Sequence, residues 1–263
     1  MAFNQQQFET AFLNLPSNEK QIELPLHIFE TIPSTNQKLW ELLDQGATPP
    51  IVAIASEQTA GRGQWGRKWQ SKLGGLDLSL SLAPQISGAN AAHLTLCSAW
   101  GIASALRHHN IPVLLKGPND LILGGRKLGG IKSETRLQQG QIAQAVVGVG
   151  INWANPVPDI GINLQSFLES QPFPSITSLE MLAAITLHGL LSGYQRYLSE
   201  GIDTLLPSYL ELLESLGRTI VVEGCSGVVV GVTPNGELRV RFHSVGAATE
   251  ISLHPGTISL GYD

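Results

Sequence analysis

The sequence predicts an α+β fold, a mixed, mostly antiparallel sheet flanked by helices, with a small SH3-like β-barrel at its C-terminal end. Three observations predict it. Strand-like runs recur in sequence with turn glycines between them, as in "PVLLKGPNDLIL", Gly124-Gly125 and "KLGGIKSETR", which is the texture of antiparallel hairpins. Residues 90–108 and "MLAAITLHGLLSGYQRYL" are long enough and apolar enough to be helices that cover a sheet. After Gly217 the chain changes to short β runs around an Asn235-Gly236 hairpin turn, which sets domains of 1–216 and 217–263.

In chain order, residues 4–14 read as a short helix. It lacks the length and the second, recognition-like helix of a DNA-reading domain, so it serves as a docking segment. "LHIFETI" is a strand, and "PSTNQKLWELLDQG" a helix entered through Ser34 and Thr35 and closed by Gly46. "IVAIASEQ" is a buried strand, and "LDLSLSLAP" alternates leucine with small or polar residues at period two. The segment between them therefore joins strand to strand. "QIAQAVVGVGIN" is a further strand. Thr177 to Glu180 supplies a T-x-x-E capping box ahead of one long helix, and "TLLPSYLELLESL" supplies another, so that two long helices cover the sheet.

The 263 residues suffice for a buried core, and 43% hydrophobic with 14% charged residues describes an ordered globular chain. A net charge of -5 argues against a general nucleic-acid binder, which needs cationic surface to displace counterions. With neither a signal-peptide pattern nor an apolar run of the ~20 residues that span a bilayer, the expected location is the cytoplasm. Cys97 and Cys225 are far apart and lack C-x-x-C or histidine companions, so two reduced, structural thiols are expected rather than a disulfide or zinc site.

"GRGQWGRKWQ", residues 61–70, contains G-x-G-x-x-G. A dinucleotide fingerprint needs those glycines to open a helix, with an acid ~20 positions on. Here a strand follows and Asp77 arrives too early. The kinase glycine loop fails for want of H-R-D and D-F-G, and no P-loop motif occurs. What remains is Arg62, Arg67 and Lys68 among glycines that let backbone N–H groups approach an anion, or else a solvated basic hairpin.

Four stretches in fixed order, "STN" at 34–36, "QTAGRGQWGRKW" at 58–69, "KGPNDLILGGRKLGGI" at 116–131 and "GVGIN" at 148–152, resemble the biotin protein ligases, in the form without an N-terminal DNA-binding domain. The resemblance implies a class II synthetase/biotin ligase-like fold and two reactions: biotin and ATP give biotinyl-5'-AMP, and a lysine of the biotin carboxyl carrier protein of acetyl-CoA carboxylase then takes the biotin. It implies catalytic roles for Arg62 and Lys127, donors suited to a carboxylate, an α-phosphate and a developing oxyanion. It implies biotin contacts at Ser34, Thr35, Asn36, Gln58, Arg62, Gly63, Gln64, Lys127 and Gly130, and ATP contacts at Arg67, Trp69, Asn119, Asp120 and Asn152. Asp120 is also the implied Mg²⁺ ligand. Many members of that family dimerise through the central sheet, so a homodimer is one implied state; neither DNA nor a membrane is an implied partner.

Each residue has a plainer reading. Ser34-Thr35-Asn36 serves as a helix cap, Pro118-Asn119-Asp120 as a turn, Trp65 and Trp69 as core anchors, and Lys127 as an exposed hairpin lysine. His108-His109 sits at a helix end and takes no role. Three positions depart from the family pattern. Gln64 replaces an arginine that helps retain the adenylate, which predicts adenylation with a leakier intermediate. Gly117 replaces the tryptophan of K-W-P-N-D, so its packing must come from elsewhere, Trp65 or Trp153 being candidates. Lys132 is polar where many members are apolar, and strand alternation is expected to point it away from the ligand. Competing functions are a lipoate ligase, a noncatalytic biotin or adenylate sensor, and a nucleic-acid module built on "RGQWGRKWQSK".

Overall fold

The computed structural model describes residues 3–16, 24–244 and 247–255. In chain order the elements are α1 (Gln5–Leu13), β1 (Leu26–Ile32), α2 (Thr35–Asp44), β2 (Val52–Gln58), β3 (Leu76–Leu82), β4 (Ile86–Ser87), α3 (Ala91–His108), β5 (Leu114–Lys116), β6 (Asp120–Leu123), β7 (Arg126–Gln138), β8 (Gln141–Ile151), α4 (Leu164–Leu168), α5 (Leu179–Glu200), α6 (Ile202–Leu210), β9 (Thr219–Val222), β10 (Cys225–Val232), β11 (Leu238–Ser244) and β12 (Ala247–Leu253). The larger sheet has the order β1-β2-β3-β8-β7-β6-β5, with β4 on one end of β8. Only the β1–β2 pair is parallel among the described strands, so the predicted mostly antiparallel α+β sheet is present.

Strand β3 shows how the sequence divides the molecule. Leu76, Leu78, Leu80 and Leu82 point into the main core, under α3 and α5. Asp77, Ser79 and Ser81 alternate onto the opposite face, yet every residue of the strand is buried. That second face is covered by α2, whose Leu39 and Leu43 pack on Ile51, Ala53 and Val146 in a smaller cluster. The polar stripe is therefore enclosed between sheet and helix, where each group needs a hydrogen-bond partner.

Several local expectations are corrected. "PVLLKGPNDLIL" is two strands, because Pro118 has no N–H for a ladder and the chain turns at Gly117-Pro118 before Asp120. The T-x-x-E box does not form: Ser178, one residue later, caps α5 through Met181 N at 3.1 Å. Glu180 instead accepts a bond from Asn4 N at 3.0 Å, tying down the α1 docking segment whose Phe8 is buried. The second long covering helix is α3 rather than α6, which ends at Leu210 after nine residues. The C-terminal unit is a four-stranded antiparallel sheet, β12-β11-β10-β9, and not a closed barrel, since among the described residues β9 and β12 do not pair. Its Asn235-Gly236 turn is formed, with Gly236 N bonded to Thr233 O. Cys97 is buried, its thiol pushed up to about 12 by desolvation, but Cys225 is exposed and so is no core thiol. Among the described residues no helix is long and apolar enough to cross a membrane.

Helices α3 and α5 touch backbone to backbone. A Cβ on Gly101 would lie 2.1 Å from Gly189 O and 2.9 Å from Gly193 Cα. Gly101→Ala is therefore expected to destabilise by ~1–3 kcal/mol through overpacking, lowering Tm by several degrees in a thermal melt. An unchanged Tm would show that the helices are not in backbone contact.

Candidate functional site

On the α2 side of the sheet lies a cavity of about 490 Å³, enclosed by the N-terminal turn of α2, the glycine loop, and strands β3, β7 and β8. Ser34, Thr35, Asn36, Gln58, Arg62, Gly63 and Gln64 line it. So do Arg67, Trp69, Asn119, Asp120, Lys127 and Gly130. Asn152 does not: it is buried, and its Oδ1 accepts from Asn155 Nδ2 at 2.9 Å in the turn after β8.

The floor is organised by Asp77, which is 2% exposed. Its Oδ1 accepts from Gln58 Nε2 at 2.9 Å and from Trp69 Nε1 at 2.8 Å, and its Oδ2 accepts a short bond from Ser71 Oγ. Ser71 Oγ also accepts from Gln58 N at 2.7 Å. With its amide nitrogen held by Asp77, Gln58 turns Oε1 toward α2, where it accepts from Thr35 N at 2.8 Å and Thr35 Oγ1 at 3.2 Å. Ser79, next on the stripe, hydrogen-bonds Thr35 Oγ1 at 2.7 Å and Asn36 Oδ1 at 2.6 Å. Ser34 occupies the N-cap position but makes no side-chain capping bond. The "STN" turn is thus fixed by Gln58 and Ser79 rather than by a serine cap.

The glycines of "GVGIN" make room for these side chains. A Cβ at Gly148 would fall 2.2 Å from Asn36 Oδ1, and one at Gly150 would fall 2.3 Å from Trp69 Cε2. Trp69 consequently lies across β8, half-buried, whereas Trp65 is 48% exposed with Arg67 over its ring at 5.9 Å. The loop itself closes by a Gly63 N–Arg67 O bond of 2.7 Å and leaves the Arg62 and Arg67 side chains exposed beside the cavity.

At the β6 end, Lys127 Nζ stands 2.7 Å from Asp120 Oδ1, and Asn119 Nδ2 donates to the same oxygen at 3.1 Å. Lys127 is therefore a half-buried, ion-paired ammonium and not a loose hairpin lysine. A divalent ion takes about six oxygen ligands. Here the one carboxylate is already neutralised, and the described residues hold no group of three His, Cys, Asp or Glu. Asp120 therefore offers a Mg²⁺ a single carboxylate, and the other oxygens of its shell would have to come from phosphate and water. Gly117 faces Tyr209, Leu213 and Val232, so α6 and the C-terminal sheet, not Trp65 or Trp153, fill the space beside it.

Sequence reasoning missed Asp77, Trp40 and Glu134, and misplaced Lys132. Lys132 points into the cavity and pairs with Glu134 at 2.9 Å. Its direction was legible, because Gly130 and Lys132 share one face of β7 by alternation. Asp77 gave no signal beyond its place in an alternating strand.

Burial drives the Asp77 carboxyl up to about 6, although Ser71, Trp69 and Gln58 all pull it down. The folded protein therefore holds this proton more tightly than the unfolded chain does. That contribution is complete below about pH 4 and is lost as pH rises through about 6. From 3.8 to about 6 it amounts to ~3 kcal/mol. In melts from pH 8 to 5, the stability of the protein relative to Asp77→Asn is expected to rise as pH falls. A pH-independent difference would show that Asp77 does not titrate in this range.

Residues 28–152 match the biotin/lipoate A/B protein ligase family. The chain is 30% identical over 221 residues to the bifunctional ligase/repressor BirA of Bacillus spizizenii, covering 81% of this chain and 68% of the relative. It is 34% identical over 131 residues to the biotin ligase of acetyl-CoA carboxylase from Paracoccus denitrificans, covering 49% of this chain and 54% of that one. The fold matches the biotin protein ligase of Aquifex aeolicus, solved in complex with biotin and ATP, with a TM-score of 0.68 at 24% identity, covering 86% of this chain and 95% of that one.

Proposed function

This chain belongs to the biotin/lipoate A/B protein ligase family, and from that premise we propose that it is an ATP-dependent biotin protein ligase of the cytoplasm that modifies the biotin carboxyl carrier protein of acetyl-CoA carboxylase. The observation that carries the reading is the single cavity onto which four separated sequence stretches converge, with a held ammonium, Lys127, beside a neutral hydrogen-bonding array.

In the first step the biotin carboxylate attacks the α-phosphorus of ATP, forming biotinyl-5'-AMP and releasing pyrophosphate. In the second, the carrier's lysine amine attacks the acyl carbon and AMP leaves. The neutral donors and acceptors of Ser34, Thr35, Asn36 and Gln58 suit the ureido ring, with Gly63, Gln64 and Gly130 along the acid. Lys127 and Arg62 stabilise charge where carboxylate and α-phosphate meet. The pair with Asp120 fixes the ammonium in place, so little reorganisation is needed as charge develops. Arg67, Trp69, Asn119 and Asp120 stand on the nucleotide side, where a Mg²⁺ would supply further neutralisation of phosphate charge. Asn152 supports that side from behind through the turn after β8. The carrier docks against the catalytic unit of residues 1–216, with 217–263 as the second unit. The chemistry demands a dry site, because water would hydrolyse the mixed anhydride.

Pyrophosphate release is expected from ATP with biotin as the sole added acid and not with lipoate or octanoate. Release with lipoate or octanoate alone would move the chain to the lipoate side of its family. Lys127→Ala is expected to lower biotin-dependent release by ~10²–10³ in protein that still melts cooperatively, at a somewhat lower Tm because Asp120 loses its ion pair. Near-normal release would remove Lys127 from the chemistry. Gln64→Arg is expected to slow dissociation of the adenylate, as followed by chasing the preformed complex with unlabelled biotin, and an equal off-rate would show Gln64 to be neutral.

A further inference from the structure

The cavity has a second polar end that the two reaction steps do not use. Beyond Lys127 on β7, Gly130, Lys132, Glu134 and Arg136 share the alternating face that lines it. Gly130 lies beside the Asp120–Lys127 pair. At ~3.3 Å per residue, Glu134 is about 13 Å further along the strand. Its Oε1 pairs with Lys132 Nζ at 2.9 Å, and its Oε2 accepts from Asn36 Nδ2 at 2.9 Å and from Trp40 Nε1 at 3.3 Å. Trp40 is in turn stacked under the Arg136 guanidinium at 4.3 Å. Burial pushes the Glu134 carboxyl up, but Asn36, Lys132 and Trp40 together hold it below its ordinary value, so it is ionised at neutral pH.

A pair two residues apart on one strand is ordinarily a solvated ornament worth little. This one differs in three respects. Both side chains line the cavity and are half-buried. The carboxylate is anchored from α2 as well as from β7. The ammonium has three N–H donors and, among the described residues, only Glu134 as an ionic partner. A ligand that seals the cavity strips the remaining water from this pair. An aliphatic tail returns no hydrogen bond for that water, whereas a ring with N–H and C=O groups does.

We propose that Lys132 and Glu134 are specificity-determining residues, which select a carboxylic acid whose distal ring carries hydrogen-bonding heteroatoms, a cyclic urea, over a purely aliphatic acid. The proposal rests on the biotin ligase reading and deepens it. Lys132 is a positioning and selecting group remote from the reacting carboxylate, so its loss acts on binding and not on the chemical step.

The test measures biotin-dependent pyrophosphate release and its inhibition by octanoate in the full chain, in Lys132→Met, in Lys132→Leu/Glu134→Gln and in Lys132→Arg. Lys132→Met leaves Glu134 its bonds to Asn36 and Trp40, and so decides the matter if the double variant folds poorly. In Lys132→Met and the double variant the half-inhibitory octanoate concentration is expected to fall at least about tenfold and KM for biotin to rise, with kcat within about twofold. Lys132→Arg, which keeps the pair, is expected to behave as the unaltered chain. Octanoate inhibition within about twofold of the unaltered chain in both Lys132→Met and the double variant would overturn the proposal. So would a fall in kcat at constant selectivity. If the unaltered chain releases no pyrophosphate with biotin, the ligase reading itself fails and this inference falls with it; that failure shows in the unaltered chain, whereas failure of the selectivity proposal leaves that chain active.

Discussion

Asp77, a carboxylate buried with no cationic partner among the described residues, is the constraint around which the site is arranged. Its charge is stabilised by three neutral donors, from Gln58, Trp69 and Ser71. Hydrogen bonds to an ionised acceptor are worth ~1.5–3 kcal/mol each, and that strength fixes where the donors stand. Trp69 is drawn across β8, over Gly150. Gln58 is turned so that its carbonyl meets Thr35 at the start of α2. One acid on the sheet therefore sets both halves of the cavity in register, although the residues concerned belong to β2, β3, the glycine loop and α2.

The same strand separates this chemistry from the dry core. The leucines of β3 lie under α3 and α5, while its Asp77, Ser79 and Ser81 supply acceptors and donors to the other face. Because that face is roofed by α2, a polar stripe that would be solvated on an open sheet becomes enclosed. The Gly148 and Gly150 positions of β8 complete the arrangement by leaving space for Asn36 and Trp69. The cavity is thus a consequence of alternation in one strand and missing side chains in the next.

Much of this was legible in the sequence. The order of strands and helices follows from alternation, glycine turns and helix length, and the four quoted stretches contain nearly all of the cavity's predicted wall. What escaped was of three physical kinds. Asp77 is one acid in an alternating strand, and only the fold shows that its face is covered. The cap of α5 fell to Ser178 because adjacent Thr177 and Ser178 compete for one position. The closure of the C-terminal sheet depends on pairing between its first and last strands, which no local pattern encodes. Lys132 was different, since its parity with Gly130 already placed it on the cavity face.

A carboxylate bound in this cavity that attacks the α-phosphorus of ATP, as proposed, leaves a labelled acyl-adenylate on the protein. The direct measurement is to mix the protein with biotin and ATP labelled at the α-phosphate, recover the protein-bound fraction and identify the labelled species together with the other nucleotide product. The expected result is a bound species that carries both the α-label and biotin, with pyrophosphate as the only phosphate product. Labelled ADP with free inorganic phosphate, or labelled ATP recovered intact beside bound biotin, would contradict it.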